Sequence, residues 1–222
     1  MGVLVGCGRG ADWDASSASE SAGSSGSGTS DSSGSSGSSA SGSGSGSPTR
    51  PSSSGRLSPV DLQSRWWTWA ASEPEETNAV ADPDGGDCTR NQAGDVWFLA
   101  GTFGTQVERS CVVPVGLPLA FPLVNFVGDP ADCAAFLASA DGTATLDGVN
   151  LPSDRYDGQV ISVQAVDGNP VTGDGADFAA TGCGLWVQVP APEPGEHTLK
   201  IRGTSGDFAV AVDYSLTVRG KG

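Results

Sequence analysis

Few residues in this 222-residue chain are equipped for chemistry. It carries five cysteines, at positions 7, 88, 111, 133 and 183, and a single histidine, His197. The turn "DPDGGD" sets Asp82, Asp84 and Asp87 close together. Oxygen-rich turns of this kind hold Ca²⁺, so these three carboxylates are the candidate metal ligands and calcium the one candidate cofactor. The loop departs from the EF-hand pattern, because Gly86 replaces the third ligand and no Glu closes the set. Its plainer reading is an acidic turn before a disulfide. Asp174 and Asp177 in "GDGAD" form a weaker second example. His197 has the chemistry of a general base, yet it shares strand parity with Leu199 and Ile201 and so faces the core or its rim. No Ser-His-Asp order and no G-x-S-x-G motif accompanies it. "RWWTWA" packs Trp66, Trp67 and Trp69 into one helical turn. Trp66 and Trp69 fall on one face with Leu62, while Trp67 points elsewhere. Either all three pack between helix and sheet, or Trp67 is exposed, where an indole face can bind a sugar or another flat ligand. On the second reading Trp67 is the candidate ligand-binding residue.

The lone N-terminal cysteine has a different chemistry. Leu4-Val5-Gly6-Cys7 is the residue order of a lipobox, with a small residue before the cysteine and an apolar one three before it. The Cys7 thiol would take a diacylglyceryl group and become the new N-terminus after cleavage. A full secretory signal needs a basic segment and an apolar stretch of about 7–15 residues, so residues 1–7 read as the remnant of such a signal. The N-myristoylation pattern fails at Gly6. Setting Cys7 aside leaves four cysteines, which admit three pairings; Cys88–Cys111 with Cys133–Cys183 is the expected one. No C-x-x-C pair points to zinc or to thioredoxin-like exchange.

These residues sit in two kinds of chain. Residues 8–56 are dominated by Ser and Gly. Such a segment has too little apolar surface to offset the entropy of ordering, and reads as a disordered tether. A Gly-rich coil of its length spans about 35–42 Å on average. The net charge is −15, from 11 Lys and Arg against 26 Asp and Glu. That field argues against nucleic acid and anionic bilayer surfaces as direct partners. No apolar run is long enough for a transmembrane helix, so membrane contact would run through the lipid.

Residues 57–222 read as one domain. Ser58 is an N-cap candidate, Pro59 suits the first helical position, and Pro74 closes the helix that carries the tryptophans. A second short helix begins at Asp129-Pro130. The remainder is short strands rich in Val, Leu and Phe between turn residues: "DVWFLAG", "VERSCVV", "LPLAFPLVN", "TATLDGV", "QVISVQAV", "LWVQVP" and "HTLKIRG". "DFAVAVDYSLTV" alternates apolar and small or polar residues throughout, the pattern of a half-buried antiparallel strand. It forms a hairpin with "HTLKIRG" around Gly203–Gly206. The fold class is therefore all-β, a β-sandwich of jelly-roll or immunoglobulin-like kind with one or two short helices.

"RWWTWAASEPEETNAVAD", "GDVWFLAGTFGT", "SCVVPVGLPLAFPLVN" and "PGEHTLKIRGT" with "FAVAVDYSLTV" together resemble a family of exported prokaryotic proteins of unassigned activity. The resemblance spans most of Arg65 to Val218, with Ala79 standing where Pro would follow Asn78. It implies an exported β-sandwich. The expected function is a lipid-anchored binding module on the outer face of the cell membrane, with a glycan or envelope component as partner. The alternative is an envelope hydrolase working through Asp and Glu carboxylates. The lack of a nucleophile–base set favours binding.

Overall fold

The computed structural model describes residues 3–5 and 55–220. Cys7 and the Ser/Gly-rich segment lie outside them. Helix α1, Pro59–Ala70, starts as its sequence dictates: the Ser58 hydroxyl accepts from the Asp61 N–H, and Pro59 occupies the first turn. Helix α2, Pro130–Ala138, is capped by Asp129, whose carboxylate accepts from Ala131 and Asp132 N–H. The strands are β1 Val3–Val5, β2 Trp97–Phe98, β3 Gln106–Pro114, β4 Leu119–Gly128, β5 Asp141–Leu146, β6 Val149–Asn150, β7 Asp154–Val163, β8 Phe178–Val189, β9 Gly195–Ser205 and β10 Phe208–Arg219.

They form two five-stranded sheets. The first runs β1-β4-β8-β7, with β2 alongside β4; the second runs β3-β10-β9-β5-β6. Most pairs are antiparallel, but β3 runs parallel to β10 and β2 parallel to β4. The sheets pack face to face over Phe121, Leu199, Ile201, Val212, Tyr214 and Leu216, a β-sandwich. Helix α1 lies on the outer face of the first sheet and builds a second apolar layer with Trp186, Ile161 and Val127. This double cover explains why β4 reads as a nearly unbroken apolar run, "LAFPLVNFVG", rather than an alternating one.

Two expected elements differ. "TATLDGV" is a hairpin, because Asp147 and Gly148 both adopt positive φ, 52° and 80°, and turn the chain between β5 and β6. Gly203 lies within β9, not in the turn, which falls at Gly206-Asp207. It pairs across the strands with Gly142. In the facing sheet β4 bulges between Pro122 and Val124. A Cβ on Gly203 would sit 2.0 Å from the Leu123 carbonyl oxygen, and one on Gly142 2.9 Å from the Leu123 Cβ. The two glycines make the hollow into which the bulge fits.

The disulfides are Cys88–Cys111 and Cys133–Cys183. The first ties the long segment after α1 to β3; the second ties α2 to β8. Between the same segment and β3 lies Arg109, almost wholly buried. Its Nε donates to the Asp82 carbonyl at 2.7 Å, Nη2 to Val80 at 2.9 Å, and Nη1 to Gly101 at 2.9 Å and to Ala100 and the Tyr214 hydroxyl at 3.2 Å. Tyr214 in turn donates to the Ala100 carbonyl and accepts its N–H.

Removing one buried partner leaves the rest unsatisfied, at about 1–3 kcal/mol for each orphaned group. Arg109→Met is expected to lower unfolding stability by at least about 3 kcal/mol in urea, comparable to opening one disulfide at about 2–4 kcal/mol. A loss under 1 kcal/mol would show that the guanidinium is not a structural hub.

Candidate functional site

The tryptophans of α1 do not form a surface. Trp67 is 0% exposed, as fully buried as Trp66. This corrects the expectation that Trp67 presents a ligand face. Trp66 stands edge-on to Trp67 at 5.4 Å and to Trp186 at 5.5 Å between ring centroids. Its indole N–H donates to the Leu99 carbonyl, and that of Trp69 to the Arg90 carbonyl. The Trp67 N–H has no hydrogen-bond partner among the described residues. Helical periodicity alone gave α1 one covered face. The tertiary structure covers it more broadly, since β7 and β8 pack beneath while the segments after α1 and β7 wrap its flanks. Asn78 donates to the Ala70 carbonyl, Gln164 N–H to the Thr68 hydroxyl and Val166 N–H to the Ala71 carbonyl.

Nor are the acidic residues of "DPDGGD" drawn together as a metal site; the described residues hold no group of three His, Cys, Asp or Glu side chains placed for one. Asp82 is turned inward, and its carboxylate accepts from the backbone N–H of Asp84, Gly85 and Asp87 at 2.8–3.0 Å. Burial opposes its ionisation, but those amides and the nearby Arg109 outweigh that and hold its carboxyl below the usual range. Asp84 folds back onto the Gly86 N–H, and Asp87 pairs with Arg90 at 2.7 Å. Gly85, at φ 94°, lets the turn pass so near β3 that a Cβ would meet the Ser110 carbonyl oxygen. Asp174 and Asp177 likewise accept from backbone N–H groups, of Ala176 and Ala165.

His197 sits at the start of β9 with both ring nitrogens engaged. Nδ1 lies 2.7 Å from Asp147 Oδ2, and Nε2 lies 2.8 Å from the Glu193 carbonyl oxygen. Both partners are acceptors, so the site favours the doubly protonated ring. The hydrogen bond to Asp147 raises the imidazole above its ordinary 6.5, and the same bond lowers Asp147 below 3.8. A nitrogen free to take a proton is what a general base needs; here neither is free. Asp147 Oδ1 also accepts the Thr198 N–H, so the cluster clips the β5–β6 turn to β9.

Among the described residues a concave feature lies at the end of the first sheet where the described domain begins. A cavity of about 360 Å³ is lined by Val96, Pro118, Leu119, Val189, Pro190 and Ala191, with Gly55 and Arg56 on its outer side. Its position is fixed by Gln188, whose side chain accepts the Leu57 N–H at 2.8 Å and donates to the Leu57 carbonyl at 3.1 Å. Arg56 pairs with Asp154. No motif marks this cavity, since its lining comes from four separate stretches of chain. Arg109 is marked by no motif either, but one signal could have found it: it shares parity with Val107, Cys111 and Val113 along β3.

No family model and no curated protein matches the chain. Among solved structures it is similar to a family 123 glycoside hydrolase from Clostridium perfringens, at 13% identity and a TM-score of 0.24, over 51% of this chain and 23% of that one. The chain thus spans about a quarter of that enzyme's length, and a likeness this slight carries no argument about activity.

Two outcomes are expected. Trp67→Ala should cost about 3–5 kcal/mol, as an emptied core site does, and should match Trp66→Ala in chemical denaturation; a variant as stable as the parent would return Trp67 to the surface. His197 is the only histidine, which makes its proton NMR titration unambiguous. Its midpoint should lie above 6.5 and fall on Asp147→Asn. Because the folded value is raised, its contribution to stability is complete below 6.5 and fades as pH climbs through the raised value. The Asp147 contribution behaves oppositely, fading as pH drops below 3.8 through its lowered value. A midpoint at or below 6.5 would contradict the pairing.

Proposed function

We propose that this chain is an extracytoplasmic lipoprotein whose β-sandwich is a binding module, carried on the Ser/Gly-rich segment from a lipid at Cys7. The observation that most supports the reading is the closure of both disulfides within the domain, Cys88 with Cys111 and Cys133 with Cys183. Two such bonds fit an oxidising, non-cytoplasmic compartment. They also take up four of the five cysteines and leave Cys7, at the end of a lipobox, outside both. No helix among the described residues is long and apolar enough to cross a membrane. With a net charge of −15 the chain is repelled by anionic headgroups, so a lipid with two or more acyl chains supplies the attachment and the tether supplies the distance.

Binding is preferred over catalysis because the lone histidine and the thiols of the domain, the candidate base and nucleophiles, are already occupied. Both nitrogens of His197 have partners, and the thiols of the domain are oxidised. A glycan or other envelope component is the class of partner that such a location offers.

Expressed behind a complete lipoprotein signal, the protein should partition into the detergent phase of a Triton X-114 separation. Cys7→Ser should stay unprocessed or move to the aqueous phase. Identical partitioning of both forms together with identical processing would defeat the anchor. Turnover of a polysaccharide or peptide by the purified domain, abolished by an Asp or Glu substitution, would replace the binding reading with the hydrolase one.

A further inference from the structure

We propose that the cavity beside Arg56 is the ligand site of this module, and that it takes a small amphiphile with an apolar body and a carboxylate. The inference rests on the reading of the chain as a binding module and names its site. Four observations carry it. The volume, about 360 Å³, falls in the range of roughly 300–1,000 Å³ that small-molecule sites occupy. The lining is mostly apolar: Leu119 and Val96 are buried, Val189, Pro118, Pro190 and Ala191 add partly exposed apolar surface, and Gln188 is its neutral polar member. No acidic residue lines it, although the chain has 26 acids against 11 bases. The one charged residue that does line it is Arg56.

That charge sets the ligand class. A guanidinium has five N–H donors in a planar fork. Asp154 accepts from one nitrogen of Arg56, and no other partner of this side chain occurs among the described residues. Asp154 also accepts from the Tyr156 hydroxyl at 3.4 Å. The carboxylate is thus held to one side of Arg56, and further donors remain for a second acceptor. A molecule with a hydrocarbon body would remove Pro118, Val189, Pro190 and Ala191 from water and set its own carboxylate against Arg56. A cationic head would meet the guanidinium's like charge.

The site is also built to last. Gln188 clamps the Leu57 backbone in both directions, so the Gly55–Arg56 wall is fixed relative to β8. A wall fixed before the ligand arrives reduces the ordering cost of binding.

The test uses octanoate, octanol and octylammonium with the purified protein in calorimetry. The charge of −15 draws octylammonium and repels octanoate everywhere else on the surface, so a preference for octanoate isolates the contribution of Arg56. Octanoate is expected to bind saturably and more tightly than either analogue. Arg56→Gln should weaken octanoate by about tenfold, the scale of one charge-assisted hydrogen bond, and leave octanol unchanged. Ala191→Phe, on a loop at the rim, should abolish binding of all three while keeping the parent's melting temperature. If that variant fails to fold, Val189→Phe serves in its place. No saturable binding, or binding indifferent to both filling substitutions, overturns the site. Equal affinity for octanoate and octanol overturns the carboxylate. A glycan bound by the domain and unaffected by Ala191→Phe would leave the binding-module reading standing and remove this cavity as its site.

Discussion

The packing of the domain turns on one buried cation. Arg109 leaves β3 and enters a space bounded by backbone carbonyls, where it donates to Val80, Asp82, Ala100 and Gly101. Two of those residues belong to the loop after α1 and two to the strand end that follows β2 along the edge of β4. The guanidinium therefore joins the second sheet to the first through backbone atoms. A charge this deep is tolerated only with its donors satisfied. Its planar fork supplies fixed directions that a lysine could not reproduce. The carboxylate of Asp82 faces neighbouring amides instead of the guanidinium, yet lies near enough to complement its charge.

Around that hub the sheets are held at a close and particular distance. The β4 bulge at Leu123 seats against Gly142 and Gly203, and no side chain larger than hydrogen fits at either glycine without a shift in the backbone. Arg109 and the Cys88–Cys111 bond hold one side of the sandwich. The Cys133–Cys183 bond and the stacked Phe126 and Phe136 hold α2 against the other sheet. The second apolar layer follows from this order. Once β4 and β8 are fixed, their outer faces still carry Val127 and Trp186, and α1 is the element that covers them.

The same arrangement bears on the proposed role. Three tryptophans on a helix suggest a binding surface, but here they roof a sheet. Among the described residues a cavity is accessible at the sheet's end, walled in part by Gly55 and Arg56. A ligand held there would sit beside Arg56, at a site whose lining lacks acids in an acidic protein.

Local chemistry determined much of this protein directly. Both helix starts are written in Ser58-Pro59 and Asp129-Pro130, because a capping oxygen and a preset φ act on adjacent residues. The alternation of β10 fixes which of its faces is buried, since side chains on a strand must point to opposite sides. An odd cysteine count singles out Cys7, while choosing among three pairings of the other four needed their distances in space. Tertiary structure alone decided the burial of Trp67, because periodicity describes one helix and cannot count the elements that will close over it. It alone turned the "DPDGGD" carboxylates toward backbone amides, and it alone assembled the cavity, whose lining is separated by more than a hundred residues of chain. Contacts between neighbours in sequence follow from the residues themselves. Those between distant segments depend on a register and a spacing that appear only once the two sheets have met.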